Sequence, residues 1–496
     1  MKKFNAILSG LFCIGMFLFW WLLYPQWLSY QEQNQLFLWT WDYLAERLSV
    51  AGGLADWLGE CLTQFFYIPW LGAALMALLM TGIQLLTARL CKFRSGAWYP
   101  LSFAPSLLLL CHLGDMEVLP SYAAALLIAL LFCPCAEKAG KEKLWKYFAA
   151  YPIAWWLIGP LAVLPAAFAL AANRNWRSGV LLLWTLASAY LLYRLFLMQY
   201  TPRDAMFGIN YYRLVESLPV LQVVIPCVVL LVTVGCRFLP EIKLAGMIAP
   251  IFVLAFAVDT YYGVKTCYDK DAYEVLAYDA LIRNGEWQKV VDRAEKYQPQ
   301  NPISASAVNL ALFMTNQMDK RMPQFYQCGT EGLIMPSIRD NMSDIPSYEA
   351  LWMMGMVNIT LQYAFDCQES IQNGRKSGRF TSKIAECHIV NGHYVIAERY
   401  LDQLAHSTFY RKWALEKKAL ISKPELVDRD PVYAYLRSVR FKHDIISNYE
   451  ALDLMMALLY SENNNNFMAA WYYQAWQLLK TTESNEEVSP DNIHGS

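Results

Sequence analysis

Hydrophobic residues change their pattern once along this chain. As far as Gly263 they gather in long runs parted by short polar stretches; from Lys265 onward they recur at helical spacing among charged residues. The runs fall at Ile7 to Tyr24 and at about 62–88, 98–112, 118–134, 146–159, 160–173, 179–199, 219–236 and 244–262. About 20 apolar residues, rising 1.5 Å each in a helix, cross ~30 Å of hydrocarbon. The pattern therefore predicts an all-α chain with about nine transmembrane helices in residues 1–263. The first run lacks a small-x-small cleavage site and ends in Trp20-Trp21 and Tyr24, so it is expected to stay as a spanning helix. Runs 146–159 and 160–173 are short and meet at Gly159-Pro160, where a hairpin or one kinked helix can form.

Between the first two runs, residues 25–61 are too long for a tight turn. Leu36, Phe37, Trp39, Tyr43, Leu44 and Leu48 are spaced for an amphipathic helix, and a second begins after Gly52-Gly53; both are expected to lie on the membrane surface. Residues 264–480 carry helical periodicity and no alternating strand pattern. Gly285, Trp287 and Pro302, and again Gly392, Tyr394 and Ala397, fall where a tetratricopeptide repeat places its turn glycine and packing residues. This second half is read as a soluble, tetratricopeptide-like array of helical hairpins, a fold that presents a surface for a protein or peptide. Residues 481–496 have no apolar period and are expected to be a disordered tail.

Composition sharpens this picture. Hydrophobic residues make up 56% of the chain and charged residues 17%, against roughly 25% in ordinary soluble domains. A net charge of -1 gives no basic face for nucleic acid. The twelve cysteines form no disulfide framework, and the six histidines, of which His388 and His393 are nearest one another, suggest no metal site. Lysine and arginine set the orientation, because they stay cytoplasmic in short loops. With the N-terminus inside, inner connections carry Lys2, Lys3, Arg89, Lys92, Arg94, Lys138, Lys141, Lys143, Lys146, Arg174, Arg177, Arg237 and Lys243. Outer ones carry Arg47, Arg203 and Arg213, with Arg194 at a helix end; Lys265 and Lys270 run against the rule. The same balance favours the hairpin at 146–173. The expectation is a multi-pass protein of a bacterial inner membrane, with a cytoplasmic N-terminus and an extracytoplasmic, periplasmic second half.

Tyr30-Gln31-Glu32-Gln33, Gly52-Gly53-Leu54-Ala55-Asp56, Gly329-Thr330-Glu331-Gly332 and Phe409-Tyr410-Arg411-Lys412-Trp413 resemble recurring stretches of an uncharacterised family of bacterial multi-pass membrane proteins. That resemblance implies an architecture and no chemistry. The layout is also similar to membrane glycosyltransferases that use polyprenyl-phosphate sugars, whose first outer loop carries an acidic residue. Glu32 matches that position, with Asp42 as a weaker second, although the paired acid usual in those enzymes is absent. The likeness implies that Glu32 acts as base or as ligand to a divalent cation, with Arg203, Arg213 and His112 toward a lipid-linked phosphate. Asp259 is a separate candidate, as an ionisable residue within the last apolar run. The leading expectation remains docking of an envelope protein or peptide by the repeat array, with the transferase as the alternative.

Overall fold

The computed structural model describes residues 2–139, 147–214, 217–242, 245–372, 374–442 and 448–487. Lys141, Lys143, Lys146 and Lys243, which entered the orientation argument, and most of the expected tail lie outside them. Among the described residues the chain is helical, with isolated β-bridges and no strand. It divides into two compact units: Met1–Glu32 with Trp39–Asp269, and Gln33–Leu38 with Lys270–Ser496.

The first unit opens with α1 (Lys2–Leu18), prolonged by a π-helical turn, Phe19–Leu23. The first loop holds α2 (Pro25–Gln33), α3 (Trp41–Leu48) and α4 (Gly53–Thr63). Then come α5 (Pro69–Cys91), α6 (Ala104–His112), α7 (Pro120–Ala139), α8 (Ala150–Ile158), α9 (Val163–Asn173), α10 (Trp176–Phe196), α11 (Pro202–Phe207), α12 (Val220–Gly235) and α13 (Ala245–Cys267). Among the described residues, six stretches are long and apolar enough to cross a membrane: Lys3–Leu23, Pro69–Cys91, Pro120–Ala139, Ala150–Asn173, Trp176–Phe196 and Ile248–Cys267. The other expected runs take shorter forms. Residues 98–112 become a 3-10 stretch, Gly96–Phe103, followed by the nine-residue α6, and 219–236 holds the 16-residue α12.

Ala150–Asn173 is not a straight rod. Gly159 turns the chain at φ 68, a conformation open to glycine because it lacks a Cβ. Tyr151, near the start of α8, clusters with Ala136 and Ala139 at the end of α7, and so do Ala166 and Ala169 of α9. Asn173, at the end of α9, donates to the Glu137 carbonyl at 2.9 Å. Both arms thus return to the same end of the unit, while the apex meets the first loop: the Gly52 amide donates to the Trp156 carbonyl at 2.8 Å. Arms of nine and 11 residues span roughly 14–17 Å, about half of the hydrocarbon thickness.

Tyr24 and Tyr268 meet as tilted rings with centroids 4.5 Å apart, and Phe19 meets the same Tyr268 ring at 5.7 Å. The chain therefore enters the first loop and departs for the second unit from one end. At the opposite end, Glu137 receives both Lys92 and the forked Arg237, whose guanidinium also donates to the Leu90 carbonyl. Between the ends the buried polar contacts are neutral: Ser9 donates to Gln84 at 2.8 Å and Gln84 to Ser102 at 2.8 Å. Ile251, Leu254 and Val258 of α13 point outward, an apolar surface suited to hydrocarbon.

The second unit is a succession of helical hairpins. α14 (Lys270–Arg283) pairs with α15 (Trp287–Lys296), α16 (Pro302–Met314) with α17 (Met318–Arg321), α18 (Ile345–Met353) with α19 (Val357–Glu369), and α20 (Gly378–Val390) with α21 (Tyr394–Ala405). All four turns are built alike. Gly285, Asn316, Gly355 and Gly392 take positive φ of 67, 56, 85 and 79 degrees. The next amide bonds back five residues: Glu286 to Leu281, Gln317 to Leu312, Met356 to Leu351 and His393 to His388, at 2.8–2.9 Å. Each is a left-handed helix stop that satisfies orphan carbonyls. α22 (Arg411–Ile421), α23 (Pro424–Val427), α24 (Pro431–Val439), α25 (Leu452–Glu462) and α26 (Phe467–Glu487) complete the unit. α26 runs past Lys480, so residues 481–487 are helix rather than the start of a tail.

Two readings of the first loop need correction. Residues 35–39 are not helical, because Leu36 joins the second unit's core with Val357, Ala385 and Leu401, and Leu38 packs beside it. The period of Leu36, Phe37 and Trp39 reflected contacts with different surfaces, not one helix face. Nor does α4 lie open on a surface. Its acids Asp56 and Glu60 are 2% exposed, and Gly59 packs so closely on Ser121 that a Cβ would come within 2.6 Å of its backbone.

Candidate functional site

In the first unit the polar residues of the last turn of α2 meet the connection after α6. Gln31 accepts from the Arg213 guanidinium at 2.6 Å and donates to the Met116 carbonyl at 2.7 Å. Arg213 also donates to the Met116 carbonyl at 2.8 Å, lies 3.9 Å from Glu117, and sits over the Tyr30 ring. Tyr30 donates to Glu117 at 2.7 Å, and Tyr212 to Asp115 at 2.7 Å. A β-bridge between Val118 and Tyr212 fixes the two segments in register. His112, just before this turn, is 2% exposed and packs edge-on against Tyr122.

The structure thus brings Arg213, expected on the outer face, together with Asp115 and Glu117, and places His112 just before them. Arg213 is 4% exposed, and its forked donors are spent on Gln31 and a backbone carbonyl, the geometry of an internal clamp. Glu32 is 4% exposed at the end of α2. Asp42 lies exposed in the first turn of α3, where a carboxylate suits the positive end of the helix dipole. Arg203 is exposed in α11 and Asp259 is exposed on α13.

A second cluster joins α3 to α4. Glu60 receives Tyr43 at 2.6 Å and Arg47 at 2.9 Å, with Asp56 3.9 Å from the same guanidinium. Burial pushes the Tyr43 hydroxyl well above its usual range, and the Glu60 charge adds to that. Sequence reasoning missed this cluster because it treated both acids as surface residues. The i, i+4 spacing of Asp56 and Glu60, matching Tyr43 and Arg47 one helix earlier, is the signal that would have found it.

The largest buried ion network lies in the second unit. A single nitrogen of Arg379, Nη1, reaches both Asp279 oxygens at 2.7 and 2.9 Å, and Nη2 lies 3.8 Å from Glu349. Arg379 also donates to Gln33 at 3.1 Å, a residue brought from the first loop, and Asn34 next to it accepts from Asn341 at 2.9 Å. One turn along α20, Lys383 binds Glu349 at 3.0 Å and lies over the Trp352 ring. Glu386 follows, accepting from Tyr433 at 3.1 Å. Burial raises the Glu349 carboxyl, but Lys383 and Arg379 outweigh it and hold the group below the usual range. For Glu386, burial prevails over Lys383 and Lys417, and its carboxyl is pushed up. Arg379, Lys383 and Glu386 recur at helical spacing, but the intervening turns read as an ordinary charged face.

At the turns of Gly355 and Gly392 lies a polar cavity of about 190 Å³, lined by Asn358, Asn391, His393, Arg440 and Lys442 over Met455. Arg440 donates to Asn391 at 2.7 Å, and Asn391 to Asn358 at 2.8 Å. Trp352 belongs to the core, with Tyr400, Tyr410 and Trp413 packed against it, whereas Trp471 is 40% exposed. Among the described residues no group of three His, Cys, Asp or Glu side chains is placed to hold a metal ion.

No curated protein and no solved structure matches the chain. A family model does, over residues 1–482, which spans both units and the loop that serves them. The chain belongs to that family, a family of unknown function (DUF6057).

Proposed function

We propose that this is a multi-pass protein of a bacterial inner membrane whose extracytoplasmic second unit docks an envelope protein or peptide. The observation that carries the reading is the repeated turn at Gly285, Asn316, Gly355 and Gly392. Hairpins that share one turn geometry stack as a tetratricopeptide-like array, and such arrays bind extended chains along their surface. The cavity at the third and fourth turns supplies polar and basic groups for one such contact. The membrane part comprises nine apolar segments in this reading, of which α8 and α9 form a re-entrant pair. A photoreactive residue placed at Asn358 in the full chain is expected to crosslink a discrete partner in cells, and Arg440→Glu to reduce that product at least severalfold. An unchanged pattern, or none above that from exposed Lys289, overturns the docking reading.

The transferase alternative rests on Glu32, in a loop anchored at both ends. Against it, Arg213 is engaged internally, leaving exposed Arg203 as the outer-face arginine toward a phosphate.

A further inference from the structure

Two pairs of cysteines meet in the membrane unit, at opposite ends. At the Tyr24 end, the last turn of α6 lies against the last turns of α13. Tyr268 donates to the Leu110 carbonyl at 3.0 Å. Gly114 approaches the Cys267 carbonyl so closely that a Cβ would stand 2.8 Å from it. Gly263 gives space to the Cys111 sulfur, which would lie 2.6 Å from a Cβ there. Cys267 is one helical turn beyond Gly263 on the same face of α13. The Cys111 side chain meets Gly263 while its neighbours Leu110 and Gly114 meet Tyr268 and Cys267, an arrangement that sets the two thiols beside each other. At the other end, buried Cys91 and Cys236 also interact, beside the Lys92–Glu137–Arg237 cluster, and Cys91 bonds the Val232 carbonyl at 3.7 Å.

We infer that Cys111 and Cys267 are a modification site, a dithiol that closes to a disulfide and ties α6 to the end of α13. The oxidant is a disulfide, supplied by a small molecule or a thiol-exchange protein. A thiolate of the pair attacks one sulfur of that disulfide, forming a mixed disulfide and expelling one thiolate. The second cysteine then attacks the protein sulfur of the mixed disulfide and expels the other thiolate. Two protein thiols become one S–S bond, and their two protons end on the released thiols. The tie sits two residues before the first unit ends at Asp269. In the proposed topology this end faces the oxidising compartment, where such a bond persists, and the Cys91–Cys236 end faces the reducing one.

The test uses the full chain in membrane vesicles treated with oxidised glutathione, blocked with N-ethylmaleimide and digested without reduction. A linked peptide pair containing Cys111 and Cys267, lighter than its parts by two hydrogens, is expected, and reduction should abolish it. Gel-shift labelling of newly reduced thiols should fall in Cys111→Ser and Cys267→Ser but not in Cys387→Ser, whose thiol is buried in the second unit. Wild-type peptide mapping needs no variant to fold. Glutathione adducts on both cysteines without the linked pair, or no reaction at either, would overturn the assignment. Because the vesicles are first permeabilised with mild detergent, both faces meet the oxidant, and that failure would be independent of the topology reading. Absence of the linkage in cells, with formation in vesicles, would instead overturn the claim that this end faces an oxidising compartment.

Discussion

Among the described residues of the membrane unit, the buried ion pairs sit at helix ends and in the first loop, and the arginines at the helix ends are held by forks and backbone carbonyls. Arg237 reaches Glu137 and the Leu90 carbonyl, and Arg213 reaches Gln31 and the Met116 carbonyl. Between those ends, the buried polar contacts of Ser9, Gln84, Tyr99 and Ser102 are neutral. In the second unit, Asp279, Arg379, Glu349, Lys383 and Glu386 run through the interior, along one face of α20. The difference follows from the surroundings. A charge within hydrocarbon has no water to retreat to, so it migrates to the ends; a core built outside hydrocarbon tolerates a charge row when each member meets an opposite partner. The first loop serves both regimes within four residues, Tyr30 and Gln31 binding in the first unit and Gln33 in the second.

The largest expected effect tests the orientation of that pattern and is all-or-none. The ring contact between Tyr24 and Tyr268 puts the exits to the first loop and to the second unit at one end. A reporter active only outside the cytoplasm should therefore be active after Asn301 and equally active within residues 49–51, and silent after Arg94. Opposite states at Asn301 and in the first loop would break the shared-end geometry. Inverted states at all three positions would keep the geometry and reverse the membrane orientation.

Next in size is the interior charge row. Glu349 has a lowered carboxyl pKa, so the stability it contributes is present above the unfolded value and is lost as pH falls through the folded one. Glu386 has a raised pKa; its favourable contribution is present below the unfolded value and is lost as pH rises through the folded one. At neutral pH, Glu349→Gln should destabilise the second unit by about 3 kcal/mol, because Lys383 and Arg379 lose a buried partner. Glu386→Gln keeps an acceptor for Tyr433 and should stay within about 1 kcal/mol of wild type, or stabilise. Hydrogen exchange in α18 and α20 of the full chain measures both. Equal losses from the two variants would show that the row does not behave as separate pairs.

Much of the fold was legible, and the illegible parts share a cause. Long apolar runs such as 62–88 and 118–134 announce themselves, because only a spanning helix accounts for so many residues without charge. The turn glycines Gly285 and Gly392 were visible too, since a left-handed stop leaves a residue signature. Asn316 and Gly355, which make the same turn, lacked the flanking pattern and were passed over. What sequence periodicity cannot convey is which unit a side chain serves. Leu36 and Trp39 read as one helix face, yet Leu36 belongs to a core built more than 300 residues later. Glu32 and Arg213 were named singly, whereas the clamp depends on Gln31 and Tyr30, neutral residues that no motif marks.

That misreading gives a smaller prediction. Leu36→Ala should cost about 2–3 kcal/mol by leaving a cavity among Val357, Ala385 and Leu401, and the loss should register in the second unit. Faster exchange should appear in α20 and α21, with α5 and α7 unchanged. A loss confined to the first unit would mean that residues 33–38 do not belong to the second core.

The smallest effect on stability is expected at Glu32, where the two functional readings part. Glutamine is nearly isosteric with glutamate but is neither a base nor a useful cation ligand. Under the docking reading, Glu32→Gln should cost about 1 kcal/mol, since the side chain is 4% exposed and a buried hydrogen bond changes partner character. Photocrosslinking from Asn358 should then remain at wild-type level. Under the transferase reading, turnover of a polyprenyl-phosphate sugar by the purified chain should vanish while expression and thermal stability barely move. Asp56 and Glu60 are poor controls, because both sit beside Arg47 in a buried cluster and their loss would unfold the loop. Glu46 is the better one: it lies on α3, 66% exposed, and meets Arg47 only from the solvent side. Turnover that falls as far in Glu46→Gln as in Glu32→Gln would trace the loss to the loop's general charge. Turnover retained in Glu32→Gln would remove the catalytic carboxylate, and with it the residue on which the transferase reading stands.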